Sequence, residues 1–481
     1  MRVAGIDQGT TSTKGLVVDE AGEFTALPAL VHKQYFPAPG WVEHSAEELL
    51  DNVRTALSAA ASLGVRSFGL ANQGETVVAW DRDSGRPLAP AIVWQDQRTS
   101  AEIARMVSAG HAQEVTALSG LPLDSYFSAS KLRWLLDNAP GARELARRGR
   151  LGLGTSDSFF IERLTGRYVT DVTTAARTSL MNLETSSWDE TLCALFGVPM
   201  ELLPAIAAGD GPLGEVRTEA GIVTLQAAAV DQIAALYGHG CRDIGDGKIT
   251  VGTGAFALVI SGFTPPVPRA GIVTSPGWRR GAGRAYASDG AVHSAAAAIE
   301  WLGRIGLLTD LSEIERLDGA SAAERDLFFV PALAGLACPH WDRSATGLFI
   351  GIDSGTARED MIKAVLEGVA FRIAEVLLAL DPAGRSERPI PADGGLMRSR
   401  YFAQFLADVV ERPIVDRSGV EVTALGVTGL GHAQLAGADP GGFDLPVTGP
   451  VRTIEPRALP GVADLRSRFG EALERSTGWR R

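Results

Sequence analysis

Residues 2–19 read RVAGIDQGTTSTKGLVVD and residues 248–262 read KITVGTGAFALVISG. Each is a short apolar run, a turn of glycine and threonine, and a second apolar run. Runs of this length, rich in Val and Ile and broken by Gly, predict strand–turn–strand units. One unit opens each half of the chain. The repetition predicts two domains of similar build, each bringing one turn to a shared cleft. The boundary is expected near 235–245, where YGHGCRDIGDG is rich in glycine. That gives domains at 1–240 and 241–481. The length of 481 residues agrees, because one hydrophobic core rarely serves so many.

Outward from the first unit, a third extended piece around 24–34 runs towards FPAPGWVEH. SAEE at 45–48 predicts a capping box, with Ser45 capping and Glu48 reaching back. Leu49, Leu50, Val53, Leu57 and Ala60 follow at helical spacing, and VRSFGLA returns to strand. This order opens an α/β domain. In LANQGETVVAW (70–80), β-formers flank NQGET. A strand turning sharply there leaves Gln73 and Glu75 at a hairpin tip, either a plain turn or a pocket wall. PADGGLMRSRYFAQFLADVV (391–410) reads as loop, Gly–Gly turn and helix.

Composition narrows the function classes. Hydrophobic residues are 45% and charged residues 21%, with a formal net charge of −12. An acidic chain without a basic stripe is a poor partner for nucleic acid or an anionic membrane. The three cysteines, Cys193, Cys241 and Cys338, lie far apart, which fits a reducing compartment and no disulfide framework. The seven histidines form no HxxxH or HxH pair, so no protein-only transition-metal site is expected. The N-terminus lacks a signal pattern and no transmembrane span is read. The expectation is a soluble, cytoplasmic protein.

DQGTTSTK (7–14) has the parts of a phosphate-gripping hairpin. Its glycine lets backbone approach an anion, its hydroxyls donate, Lys14 adds positive charge, and Asp7 at the strand end can hold waters of a Mg²⁺. The plain alternative is a polar β-turn. GTGAF (252–256) is a second such turn. It fits neither a dinucleotide fingerprint, since position 257 is Ala, nor a phosphate-binding lysine loop, since Ile follows Lys248. DGG (393–395) is a third turn, entering a helix. Asp231 sits between AAAV and IAALYG. It either caps the helix that follows or is a buried base facing the cleft.

Taken in order, GIDQGTTSTK, NQGETVVAWD, YFSASKLRWLLDN, DVTTAARTSLMNL, DQIAALYG, VGTGAFAL and DGGLMRSRYFAQFLAD resemble the FGGY carbohydrate kinases, and within them the glycerol kinase branch. The resemblance runs from Ile6 to about Ala436. It implies an α/β fold of two actin/hexokinase/Hsp70-like (ribonuclease H-like) domains clamping ATP and substrate between them. It implies ATP as phosphoryl donor, Mg²⁺ held at Asp7, a small polyol or sugar as acceptor, and a homo-oligomer, dimer or tetramer. It puts Thr10, Thr11, Ser12, Lys14, Gly252 and Thr253 at the phosphates. Ala296, Glu300, Gly394, Gly395 and Ser399 fall on the nucleotide side. Asp231 is the implied base. Gly74, Glu75, Trp94, Tyr126, Gln232 and Phe256 fall where that branch lines its polyol pocket. Trp94 and Phe256 as plain core aromatics, Tyr126 as an interface residue and Lys14 as a surface charge are the alternatives.

The pattern breaks at one telling place. Glycerol kinases carry N-Q-R-E-T, whose arginine contacts glycerol hydroxyls, where this chain has Asn72-Gln73-Gly74-Glu75-Thr76. Loss of such a charge-assisted bond costs roughly 1.5–3 kcal/mol. The expectation is a roomier pocket, suited to glycerol with another group standing in, or to a tetritol or pentitol. A pentulose fits less well, since its kinases carry a Gln-Met-His type of motif at this loop and N-D-x-R in place of WQDQR (94–98). Ala296, Glu300 and Ser399 stand where relatives have Gly, Gln and Asn. Rival readings are a ketose kinase, a non-catalytic sugar or nucleotide sensor, and an actin- or chaperone-like ATPase. Retention of Asp7, Asp231 and Thr253 speaks against a sensor.

Overall fold

The computed structural model describes residues 2–209, 211–381, 387–442, 451–459 and 461–480. Both strand–turn–strand units form as the sequence predicts. Val3–Gln8 pairs antiparallel with Ser12–Val18, setting Asp7 opposite Lys14. Gly247–Val251 pairs antiparallel with Ala255–Gly262, setting Thr250 opposite Phe256. Each unit lies inside a seven-stranded sheet.

In the first sheet Val3–Gln8 also runs parallel to Ser67–Asn72, which runs parallel to Gly221–Val230. Gln8, Asn72 and Val230 therefore end side by side at the carboxyl edge of three neighbouring strands. Ligands in open α/β sheets bind at that edge. In the second sheet Gly247–Val251 runs parallel to Ile390–Asp393, which brings Asp393 beside Thr250. The first, second and third Gly-rich turns thus all end strands at the cleft.

The Ala46–Ser62 helix buries Leu49, Leu50, Val53, Leu57 and Ala60, as their spacing predicts. Ser45 caps it by accepting from Glu48 N at 3.3 Å. The return arm of the expected capping box is not made, since the Glu48 carboxylate accepts from Lys33 N at 3.4 Å instead. The expected hairpin at 70–80 does not form either. Ser67–Asn72 belongs to the first sheet, while Val77–Asp81 pairs with Leu151–Thr155 in a separate five-stranded sheet. NQGET is the corner where the chain changes sheets.

One helix from the 241–481 segment rests on the first sheet. A Cβ on Gly5 would meet Ala424 O at 2.0 Å, and one on Gly69 would meet Val427 O at 2.2 Å. Only glycine lets the Val422–Leu435 helix lie this close to the strands. The long Arg358–Leu380 helix fills the core beneath the second sheet, buried along most of its length. No helix among the described residues is long and apolar enough to cross a membrane, and the three cysteines are buried and free.

Candidate active site

A cleft of about 490 Å³ opens where the Gly-rich turns meet, lined from the first half by residues such as Thr10, Glu75 and Asp231 and from the second by Thr253, Phe256 and Glu300. Gly9 N donates to Ser12 O at 3.1 Å, which closes the first turn and leaves Thr10 and Thr11 facing the cleft. Ser12 begins the return strand. Lys14 lies at the margin, half exposed, in an ion pair with Glu421 at 3.0 Å. In the second turn Gly252 and Thr253 line the cleft, and Ala296 N donates back to Gly252 O at 3.0 Å, so the turn anchors the Ala296–Arg304 helix that carries Glu300. Gly394 has φ 102°, and a Cβ there would meet Val251 O at 2.2 Å, so the third turn packs directly on the second. Gly395 is exposed. Ser399 is buried; its hydroxyl donates to Ile314 O at 2.9 Å and caps the Arg400–Val410 helix by accepting from Phe402 N at 3.3 Å.

Asp7 is the next-to-last residue of the first strand, with Oδ1 buried and without a hydrogen-bond partner among the described residues. Burial raises its pKa well above the usual carboxylate range, and the nearby negative charges of Asp231 and Glu421 raise it further, against a smaller pull from Lys14. A buried carboxylate oxygen with no donor, among other carboxylates, fits a hard divalent cation. Among the described residues no three His, Cys, Asp or Glu side chains cluster as a self-sufficient metal cage. A Mg²⁺ shared with phosphates needs only one or two carboxylates.

Asp231 opens the Asp231–Gly238 helix and accepts from Gln232 N at 2.6 Å. The N-cap is Val230 and no side chain caps the helix, so the capping alternative is not realised, and Asp231 lines the cleft. Burial pushes its pKa up to about 6, Glu75 adds to the rise, and Lys248 and the Gln232 N–H oppose it. A carboxylate so tuned takes up a proton readily near neutrality. Behind it lies a polar network. The fully buried Lys248 donates to Thr250 Oγ1 at 2.8 Å and to Gln232 Oε1. Thr250 donates to Asp393 Oδ2 at 3.2 Å, and His239 Nε2 bonds the same oxygen at 2.6 Å.

The remaining wall is aromatic on one side and charged on the other. Trp94 meets Tyr126 edge-on at 5.6 Å and Phe256 edge-on at 6.1 Å, which joins the two halves of the chain in one box. Trp94 Nε1 donates to Thr10 Oγ1 at 2.9 Å and so ties that box to the first Gly-rich turn. The buried Lys131 donates to Tyr126 O at 2.7 Å and holds the wall from behind. Gln73 does not sit at a hairpin tip. It is buried, donating to Gln8 Oε1 at 3.3 Å and accepting from Thr76 Oγ1 at 2.9 Å. Glu75 accepts from Arg177 Nε at 2.6 Å.

Gly74 lines the cleft, but the space beside it is taken. A Cβ there would lie 2.5 Å from Val230 Cγ2 and 3.4 Å from Arg177 Cγ. Val230 and Arg177 therefore crowd the first atom of any side chain placed at this position. Arg177, Lys248, Lys131 and Val230 escaped the sequence reading. Lys248 carried a signal, a lone lysine inside an apolar strand. Arg177 carried none beyond its place in DVTTAARTSLMNL.

The whole chain resembles known enzymes. It is 40% identical to the glycerol kinase of Thermus brockianus over 492 residues, covering 98% of each chain. It is 38% identical to the glycerol kinase of Bordetella parapertussis over 501 residues, covering 100% of this chain and 98% of the relative. The fold matches the crystal structure of Plasmodium falciparum glycerol kinase with ADP at a TM-score of 0.86 and 28% identity, covering 99% and 98% of the two chains. Residues 2–238 match the N-terminal domain of the FGGY family of carbohydrate kinases, and residues 247–435 match its C-terminal domain. Matched along both halves and folded as a two-domain kinase of the actin/hexokinase type, the chain belongs to the FGGY family of carbohydrate kinases and is an ATP-dependent phosphotransferase.

Proposed function

We propose that this kinase phosphorylates a terminal hydroxyl of a small polyol, with glycerol as the favoured acceptor ahead of a tetritol, pentitol or ketose. The observation that carries the reading is the crowding at Gly74. Val230 Cγ2 stands 2.5 Å from where a Cβ on Gly74 would lie, and this crowding beside the glycine favours a short acceptor. The names of the relatives support the same choice.

The chemistry follows from the residues. The acceptor hydroxyl oxygen attacks the γ-phosphorus of ATP, the bond to the β-phosphate oxygen breaks, and ADP leaves. Asp231 takes the hydroxyl proton, a role for which a pKa of about 6 suits it. Glu75 and Gln232 hold the other hydroxyls, while Trp94, Tyr126 and Phe256 cover the carbon skeleton and exclude water. Thr10, Thr11, Gly252 and Thr253 receive the phosphates, with the Lys14 charge nearby. Gly394 and Gly395 shape the nucleoside end. Asp7 would hold a Mg²⁺, which would neutralise phosphate charge. ATP consumption and three buried free thiols fit a reducing, ATP-supplied compartment, and we assign the cytoplasm. A homodimer or homotetramer remains the expected assembly, to be read by light scattering.

The test is ADP release from MgATP against glycerol, erythritol, threitols, ribitol, xylitol, dihydroxyacetone, xylulose and ribulose, with Asp231→Asn as the blank. Glycerol should give the highest kcat/KM. A longer polyol or a ketose ahead by more than about tenfold overturns the choice of acceptor.

A further inference from the structure

We infer that Arg177 is the specificity-determining cation of the acceptor pocket, donating to a substrate hydroxyl from beside Gly74 and fastening that contact to the second domain. The inference rests on the polyol kinase reading above and names the group that does the recognising.

Arg177 sits on the single turn Ala176–Thr178, and its side chain is only 5% exposed yet lines the cleft. It runs past Gly74, with Cγ 3.4 Å from where a Cβ on that residue would lie. Nε donates to Glu75 Oε1 at 2.6 Å. Nη1 donates to Asp289 Oδ2 at 2.6 Å and to Ser275 Oγ at 3.2 Å. Asp289 and Ser275 lie on adjacent strands of the second sheet. One guanidinium thus joins a pocket residue of the first domain to the floor of the second.

A purely structural bridge would account for Nε and Nη1. It leaves Nη2 unexplained, since that nitrogen has no acceptor among the described residues. Glu75 Oε2 likewise accepts from no donor there. Neither atom is among the buried side-chain atoms without a partner, and both residues line the cleft, so both atoms are open to it. An open N–H and an open carboxylate oxygen on one hydrogen-bonded pair match a hydroxyl, which accepts one bond and donates another. Arg177 is also 5.7 Å from the Tyr126 ring centroid, so the fork stands against the aromatic box that covers the carbon skeleton. A lysine cannot reproduce this, because its single ammonium lacks the planar fork.

The experiment compares wild type and Arg177→Lys, each assayed for KM of the best acceptor, KM of MgATP, kcat and melting temperature. Arg177→Ala strips a partner from two buried carboxylates, so Arg177→Lys is the deciding variant. The expected result is a rise in acceptor KM of about tenfold or more, with the KM of MgATP within about twofold. An acceptor KM within about twofold of wild type overturns the inference, as does an equal rise in both KM values. The two readings fail separately. If the wild type prefers a ketose, the polyol reading falls and Arg177 is judged on that ketose. If it prefers a polyol and Arg177→Lys binds that polyol normally, only Arg177 falls.

Discussion

Val230 and Gly74 occupy one another's space: a Cβ on Gly74 would stand 2.5 Å from Val230 Cγ2. Val230 cannot step aside easily. It is β-branched, and its N–H is held by Thr173 Oγ1 at 2.8 Å. The glycine is thus a consequence of the valine as much as a feature of the pocket. Gly74→Arg alone should overpack this corner and lose about 1–3 kcal/mol of stability. Val230→Gly in the same chain should recover most of that loss. A double-mutant cycle in denaturant, with glycerol KM beside it, reads the coupling. Additive effects would mean that the two residues do not share the site.

The pKa of Asp231 predicts a pH profile. Its carboxyl must be ionised to accept a proton, and its pKa stands at about 6. Asp7, whose pKa is also raised, would be kept ionised by a Mg²⁺ held there, as the proposed function has it, when MgATP is saturating. Under that condition kcat/KM for the acceptor should be level above about pH 7 and fall about tenfold per pH unit below 6. Asp231→Asn should lose at least about a hundredfold in kcat while still binding MgATP. A flat profile down to pH 5 would remove Asp231 from the proton step.

How far the sequence reached depended on whether a residue's partners are near it in the chain. The two strand–turn–strand units were legible because their pairing is local and their apolar runs are unbroken. The Ala46–Ser62 helix was legible from Ser45 and the leucine spacing. The hairpin at 70–80 was misread because one corner linking two sheets has the same local pattern as a turn within one sheet. The crowding beside Gly74 was not legible because Val230 lies 156 positions on and is invisible from the loop. Arg177 was missed for the same reason, since its partners Glu75 and Asp289 are about a hundred residues away on either side.

Lys248 offers a test of the network behind Asp231. Its buried ammonium pulls the Asp231 pKa down against burial and Glu75, and it holds Gln232 and Thr250 in place. Lys248→Met keeps the length and removes the charge. The acid limb of kcat/KM should then move to higher pH by about one unit, because the opposing charge is gone. Acceptor KM should rise as Gln232 loses its anchor. An unmoved limb would show that Lys248 serves only packing.

The last prediction concerns stability in acid. His32 and His44 meet edge-on at 4.9 Å behind the first Gly-rich turn, where His32 Nε2 bonds Thr10 O at 2.9 Å. His44 is fully buried and neither ring nitrogen has a partner. Burial, helped by the facing His32, lowers its pKa to about 4. The unfolded chain protonates this histidine near 6.5, so the folded state holds fewer protons between the two values. Its contribution to stability is therefore complete above pH 6.5 and is lost as pH falls towards 4, at most on the order of 3 kcal/mol. His44→Leu removes the titrating group and keeps the apolar bulk. Unfolding midpoints in urea between pH 7 and 4.5 should fall less steeply for the variant than for the wild type. Parallel slopes would mean that the carboxylates alone set the acid limit, and that the histidine pair behind Thr10 is electrostatically silent.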